Sequence, residues 1–187
     1  MIDWAVALAA GIGLAAASGF RIFLPLFGVS LAIRLGGFEP TAGFEWLASP
    51  VATTALGVAV FVEIGAYLVP WLDNALDTIA TPLAVVAGTL LAGLMLGDAP
   101  PALQWALAIV AGGGTAGAVQ VGTVAARTTS LVTTGGLANP LVSMAEAGFA
   151  GLFTLLALVV PLTGVALLLV VLLWWRRRRS RRVAPAS

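Results

Sequence analysis

Residues 159–182 read VVPLTGVALLLVVLLWWRRRRSRR, an apolar run followed by two tryptophans and a block of arginines. This order is typical of a helix leaving a membrane, because tryptophan prefers the headgroup zone and arginine marks the cytoplasmic side. The composition agrees, since 60% of the residues are hydrophobic, 9% are charged and the mean hydropathy is +1.07. Charged residues make up about 25% of a soluble domain. The sequence therefore predicts an all-α polytopic membrane protein, folded as a helical bundle.

The charge distribution predicts one transmembrane domain, residues 1–175, and a basic cytoplasmic tail, residues 176–187. The tail predicts a cytoplasmic C-terminus in a bacterial inner membrane, and its arginines can also bind anionic lipid headgroups. We expect no nucleic-acid binding, because no soluble domain accompanies the tail. The N-terminal run lacks a basic n-region and predicts a first membrane segment, not a removed signal peptide. The tail holds six of the nine basic residues, Arg176, Arg177, Arg178, Arg179, Arg181 and Arg182.

The chain contains no cysteine and no histidine. This excludes a thiol nucleophile, a disulfide and a thiolate zinc site, and it removes the commonest general base. No nucleotide-binding or hydrolase motif is present, so we expect no cofactor, no metal and no catalytic residues of these kinds. An enzyme would have to use carboxylates as its acid and base.

Apolar runs predict five to seven membrane segments, with six favoured, since one pass needs about 20 apolar residues. The first run, residues 2–33, is interrupted at Ser18–Arg21 and again at Pro25. It predicts either one broken helix or a tight two-part hairpin. Later passes are predicted at residues 51–71, 81–97 and 102–126 and within 140–175. The polar stretch 128–139 predicts either an extramembrane loop or a re-entrant turn.

Three prolines share an apolar-x-x-Pro-Leu pattern at nearly equal spacing, Pro25, Pro82 and Pro140. Proline suits the first turn of a helix, so the pattern predicts three helix starts. The pattern has two alternative explanations, an internal repeat of the sequence or a coincidence among its many apolar residues.

Charged side chains inside apolar runs are the sharpest functional signal. Glu63 lies at the centre of the predicted pass 51–71, where a carboxylate must be protonated, paired or hydrated. Tyr67, one turn later, is a candidate hydrogen-bond partner, and Arg21 or Arg127 is a candidate ion partner. Three interpretations of the Glu63 carboxylate follow. It forms a buried structural pair, it takes part in the transport of protons or cations, or it is protonated and has no role. Arg127 at the end of its predicted pass can also snorkel to the interface.

A second polar group follows in the helix predicted to begin at Pro140. Asn139 is a candidate cap for that helix, and Ser143 and Glu146 lie on the same helical face as Asn139. We expect a substrate or ion path lined by both groups: Arg21, Glu63, Tyr67, Arg127, Asn139, Ser143 and Glu146.

Asp73, Asn74 and Asp77 form a third polar cluster after the pass at 51–71. Their oxygen atoms suit a hard cation, although the spacing matches no calcium loop. The alternative is a solvated loop that caps a helix starting near Pro82.

These polar residues resemble a bacterial membrane-protein family known as domain of unknown function 4126. The resemblance implies a single small multi-pass domain and carries no activity, and the arginine tail lies outside the pattern. The resembling pieces run in order along the chain: GFRIFLP at 19–25, WLAS at 46–49, EIGAY at 63–67, DNALDTIATP at 73–82, GGG at 112–114 with Gln120, and TTGGLANP at 133–140 with Glu146.

The function that we expect is a small transporter or a channel-like translocator. The alternative is a non-transporting scaffold or lipid-binding assembly factor, and a membrane enzyme that uses carboxylates comes third. A polar cavity that reaches Glu63 would favour transport, whereas a dry, fully paired cluster would favour a scaffold. The lipid bilayer is the expected partner, and we expect the chain to associate with itself as a homo-oligomer.

Overall fold

The computed structural model describes residues 4–66, 70–160 and 170, with the backbone alone for residues 70–78. Helices and turns make up this part of the chain, which contains no strand. A short 3-10 helix, Glu45–Ala48, precedes α3, and a π-helical turn, Ala108–Gly113, joins α5 to α6. The α-helices are α1 (Trp4–Phe20), α2 (Phe23–Arg34), α3 (Pro50–Ala66), α4 (Pro70–Met95), α5 (Pro101–Leu107), α6 (Gly114–Thr134) and α7 (Asn139–Val159).

The break in the first apolar run separates α1 from α2 at Arg21 and Ile22. Val6 and Ala7 at the start of α1 line the same cleft as Gly37 and Phe38, which follow α2. The chain therefore turns back at Arg21, and of the two predicted arrangements the hairpin is the one observed.

The pass predicted at 51–71 is described in two parts, α3 up to Ala66 and α4 from Pro70, and Trp71 lies in α4. α4 continues for 26 residues to Met95, and the prediction that this helix begins near Thr81 or Pro82 is wrong.

Pro82 lies inside α4, where it cannot donate the usual backbone hydrogen bond. Helices in apolar surroundings tolerate such prolines when neighbouring groups satisfy the freed carbonyl. Pro25 and Pro140 do lie in the first turns of α2 and α7. The three prolines therefore occupy different structural positions, which removes the support for an internal repeat.

The polar stretch 128–139, predicted as either an extramembrane loop or a re-entrant turn, is largely helical. α5, the π-helical turn and α6 form one continuous helical segment, Pro101–Thr134. The hydroxyl groups of Thr128 and Thr129 donate to the carbonyl oxygens of Val124 and Ala125, at 2.9 and 2.7 Å. Because these hydroxyl groups form hydrogen bonds to carbonyl oxygens of the preceding turn, the threonines are compatible with a continuous helix.

The turn between α6 and α7 is confined to the four residues 135–138. Gly135 and Gly136 have positive φ angles of 63° and 85°, a conformation that side-chain-bearing residues rarely adopt. α7 begins directly afterwards, so the α6–α7 connection is a tight helical hairpin.

The centre of the bundle is packed through small residues. A Cβ atom on Gly88 would lie 2.5 Å from the Cβ of Ala116, and one on Gly112 would lie 2.5 Å from the Cβ of Ala92. Gly11 of α1 approaches Ala92 in the same region. These five residues, the small-residue interface, join α1, α4, the π-helical turn and α6 at close backbone distance.

The interior is mainly apolar, but it also holds charged side chains, and large apolar side chains cover much of the outside. The described charged side chains outside the interior lie at the end of α2, at the start of the 3-10 helix and in loops: Arg34, Glu45, Glu39 and Asp98. The outer helix faces instead expose large apolar side chains, such as Phe61, Val110 and Val132 at 75–81%. Pro101–Thr134 and Asn139–Val159 are long and apolar enough to cross a membrane, and only 33% of each apolar window is buried. Such a surface favours hydrocarbon surroundings.

Candidate functional site

Arg21 occupies the turn between α1 and α2 and is 1% exposed. Its Nη2 donates to the backbone oxygen of Ser143 at 2.8 Å and to the Ser143 hydroxyl at 2.5 Å. The same nitrogen lies 3.3 Å from a carboxylate oxygen of Glu146. The turn thus places an arginine from the start of the chain against two residues of α7.

Arg127 contacts the same carboxylate from the opposite side. Its Nε donates to Oε1 of Glu146 at 3.0 Å. Arg127 lies within α6 and is 3% exposed, so the prediction that it ends a membrane pass and snorkels is wrong. Glu146 thus lies between two arginines.

Glu63 lies in α3, within the pass predicted at 51–71, and it is 7% exposed. Its carboxylate accepts the backbone N–H groups of Ile22 at 2.7 Å and Phe23 at 3.2 Å. These N–H groups begin α2, where a helix has unpaired donors and a partial positive charge. Glu63 therefore acts as the anionic cap of α2, a role that its sequence neighbours do not reveal.

The sequence predicted Arg21 or Arg127 as the ion partner of Glu63, but their direct contacts go to Glu146. Glu63 is nevertheless held beside the turn that contains Arg21, because it accepts the N–H group of the next residue, Ile22. Within the described residues, the buried charged side chains are two arginines and two glutamates, Arg21, Arg127, Glu63 and Glu146. Their formal charges cancel. With Ser143, these four residues form what we call the charged junction.

Asn139, Ser143 and Glu146 all lie on the buried face of α7. Asn139 is the first residue of α7 and not its cap, because the helix is preceded by Ala138 and no side chain caps it. Arg127 and Glu146 lie eight residues before Gly135 and eight after Ala138, which is about 12 Å of helix on each side. The ion pair thus bridges the α6–α7 hairpin well inside the bundle.

Sequence analysis missed a polar stripe on α6. The buried residues Gln120, Thr123, Arg127 and Ser130 recur at intervals of three and four, which places them on one helical face. Gln120 is 2% exposed, and its Nε2 has no hydrogen-bond partner within the described residues. The helical spacing was visible in the sequence, but the predicted helix end at Ala126 separated these residues.

The other predicted site residues lie outside the described side chains. Tyr67 and the tail arginines 176–179, 181 and 182 fall outside the described residues. Asp73, Asn74 and Asp77 belong to α4 by their backbone, which replaces the predicted loop, and their side chains are outside the description. Among the residues whose side chains are described, no group of three acidic residues is arranged to hold a metal ion.

A cleft of about 400 Å³ lies between the start of α2, α3 and α4. Among the described side chains that line it, Glu63 is polar and the others are apolar, including Phe23, Ala59, Val62 and Leu83. The capping carboxylate therefore faces both the start of α2 and this cleft.

Comparison with known proteins gives a family but no relative. No curated protein and no solved structure matches the chain. The sequence model of the family described as Domain of unknown function (DUF4126) matches residues 8–179. The match includes the first four tail arginines, 176–179. The prediction that the whole arginine tail lies outside the family pattern is therefore wrong for these four residues. The match covers nearly the whole chain, including every residue of the charged junction, and the protein belongs to this family.

Proposed function

We propose that the protein is a small polytopic translocator of the bacterial inner membrane, with its C-terminal tail in the cytoplasm. We further propose five to seven membrane segments, with six favoured, and a path for a small polar or charged solute. The residues of that path are Arg21, Glu63, Arg127, Asn139, Ser143 and Glu146.

The charged junction is the observation that carries the proposal. Four charged side chains are at least 93% buried in a bundle whose outer helix faces are apolar. Each charged side chain within a membrane costs several kcal/mol. Such side chains are therefore rare, and they commonly line the pathway of a solute or an ion. A fold that needed only stability would place small or apolar residues there, as it does in the small-residue interface.

The surroundings of the junction also favour a path. The chain is interrupted at Arg21, and broken helices supply the binding sites of many transporters. The α6 stripe continues from Arg127 to Gln120, which extends polar side chains about 10 Å along the helix. Together these features place polar groups along the interior beyond the ion pairs themselves.

The tight contacts of Glu146 favour a second candidate, a non-transporting scaffold or lipid-binding assembly factor. Glu146 contacts Arg21 and Arg127 at 3.3 and 3.0 Å. A dry and permanently paired cluster would serve only to join α1, α6 and α7. The two candidates differ in whether water and solutes reach Ser143.

Cysteine labelling separates the two candidates, and the chain is naturally free of cysteine. We expect Thr134→Cys, at the exposed end of α6, to react rapidly with a small charged thiol reagent in intact membranes. Ser143→Cys should react more slowly but to completion, because a path must open to water during transport. Rapid labelling of both residues would indicate an ordinary exposed surface, and complete inertness of Ser143→Cys would favour the scaffold.

Ala150→Cys is the matched control, because Ala150 lies two turns beyond Ser143 on the buried face of α7. It is 0% exposed and lies beyond the charged junction, so it should stay unlabelled. Labelling of Ala150→Cys would show that the bundle opens generally. Osmotic swelling of proteoliposomes in a panel of salts and zwitterionic amino acids then identifies the solute class.

The proposed orientation has its own test. Six arginines after residue 175 should hold the C-terminus in the cytoplasm. A green fluorescent reporter fused after Ser187 should therefore be bright, and alkaline phosphatase fused there should be inactive. The opposite pattern would overturn the orientation.

A further inference from the structure

The cleft beside Glu63 has the features of a ligand site. Its volume of about 400 Å³ falls within the range of small-molecule pockets, about 300–1,000 Å³. Small side chains, including Ala55, Ala59 and Ala80, line it and leave the space between α3 and α4 open. Glu63 is a buried polar side chain on this wall, whose other described side chains are apolar.

The residues around the cleft indicate which phase it opens to. Val58 and Val62 of α3 are 57% and 64% exposed, and Ile79 and Leu83 of α4 are 52% and 42% exposed. All four line the cleft and also belong to the apolar outer surface. A molecule that enters between them must therefore carry a hydrocarbon part.

The Glu63 carboxylate defines the polar part of that molecule. A carboxylate has about four acceptor sites, and the N–H groups of Ile22 and Phe23 occupy two. Among the side chains that the structure describes, the charges of the junction cancel when Glu63 is ionised, so a bound cation would leave an uncompensated positive charge there. A bound anion would meet a carboxylate. A neutral hydrogen-bond donor is the group that fits.

From these observations we propose that the cleft binds a single-chain lipid with an uncharged hydroxyl headgroup, with the hydroxyl donating to Glu63 and the chain lying between α3 and α4. The occupant class is a long-chain alcohol or a monoacylglycerol. Binding in this cleft does not depend on solute passage through the charged junction, so either proposal can fail alone.

Photolabelling of the full chain in nanodiscs tests the site, with palmityl alcohol that carries a diazirine in its chain as the probe. We expect adducts on residues of α3 and α4 that line the cleft, and competition by unlabelled monopalmitoylglycerol. Glu63→Gln should weaken labelling roughly tenfold or more, because a hydrogen bond to a charged group is lost. Stronger competition by palmitylamine, or equal competition by hexadecane or palmitate, would overturn the assignment of a neutral donor.

Ala59→Phe keeps the experiment decisive if Glu63→Gln does not fold. Ala59 lines the cleft one turn before Glu63, so a phenyl ring there should fill the space without removing the α2 cap. Labelling should fall to background in this variant. Thr54→Phe is the control, because Thr54 is exposed on α3 and does not line the cleft. Equal labelling of the two phenylalanine variants would overturn the site.

Discussion

The charged junction and the small-residue interface are both buried, yet they join their helices in opposite ways. At the small-residue interface, glycines and alanines bring backbones so close that an added methyl group at Gly112 would meet Ala92 at 2.5 Å. At the charged junction, long side chains span the space, as Arg21 does when it reaches Ser143 and Glu146. One region depends on the absence of side chains, and the other depends on their charges.

This difference shows two solutions to one physical problem. Helices in apolar surroundings gain little from burying more apolar area, so close packing or polar bonds must hold them together. A larger side chain destabilises the closely packed region, whereas the loss of one charged partner destabilises the charge cluster. Stability alone does not require the costlier second solution, and for this reason the junction is the better candidate for function.

The largest effect should come from removing the carboxylate that two arginines share. Glu146→Leu leaves Arg21 and Arg127 buried without that partner, and breaking a buried pair costs about 3–5 kcal/mol. Denaturation by SDS in mixed micelles measures the free energy of unfolding. Glu39→Leu, in an exposed loop, should change it by less than about 0.5 kcal/mol. Equal effects of the two variants would show that the junction is hydrated and weak.

A smaller effect should follow at the small-residue interface. Gly112→Ala places a methyl group 2.5 Å from Ala92 and 2.6 Å from the Gly88 oxygen, and overpacking of this kind costs about 1–3 kcal/mol. Gly114→Ala is the matched control, because no atom lies within 4 Å of its added methyl group. It should be neutral or stabilising by up to about 1 kcal/mol. If both variants behave alike under the same denaturation assay, close backbone approach is not what joins these helices.

The smallest effect should be that of Glu63→Gln, which tests the boundary of the junction. The amide oxygen can still accept an N–H group at the start of α2, so we expect a loss of about 1 kcal/mol, as for other helix caps. Glu63→Lys instead places a cation beside the turn that holds Arg21, so it should lower the yield of folded protein in fluorescence-detected gel filtration more than Glu63→Gln does. A tolerated lysine would mean that water reaches position 63 freely.

Several features of the site could be predicted from local sequence because they depend on neighbours along the chain. The interruption near Arg21 and the helix start at Asn139-Pro140 both follow from turn and proline chemistry, although Ser18–Phe20 remain helical and Pro25 does not interrupt α2. The common face of Asn139, Ser143 and Glu146 follows from helical periodicity. The helix end near Ala126 was wrong, because polarity was taken to indicate a loop although threonine hydroxyls can bond within their own helix.

By itself, the sequence determined that this is an apolar, helical protein of the DUF4126 family with charges in unexpected places. Only the tertiary structure decided that both arginines contact Glu146, while Glu63 caps α2. The physical reason is distance along the chain, since Arg21 and Ser143 are separated by 122 residues and local patterns carry no record of such contacts. Hydropathy shows that a buried charge needs a partner, but only the packing of α1, α6 and α7 selects which one.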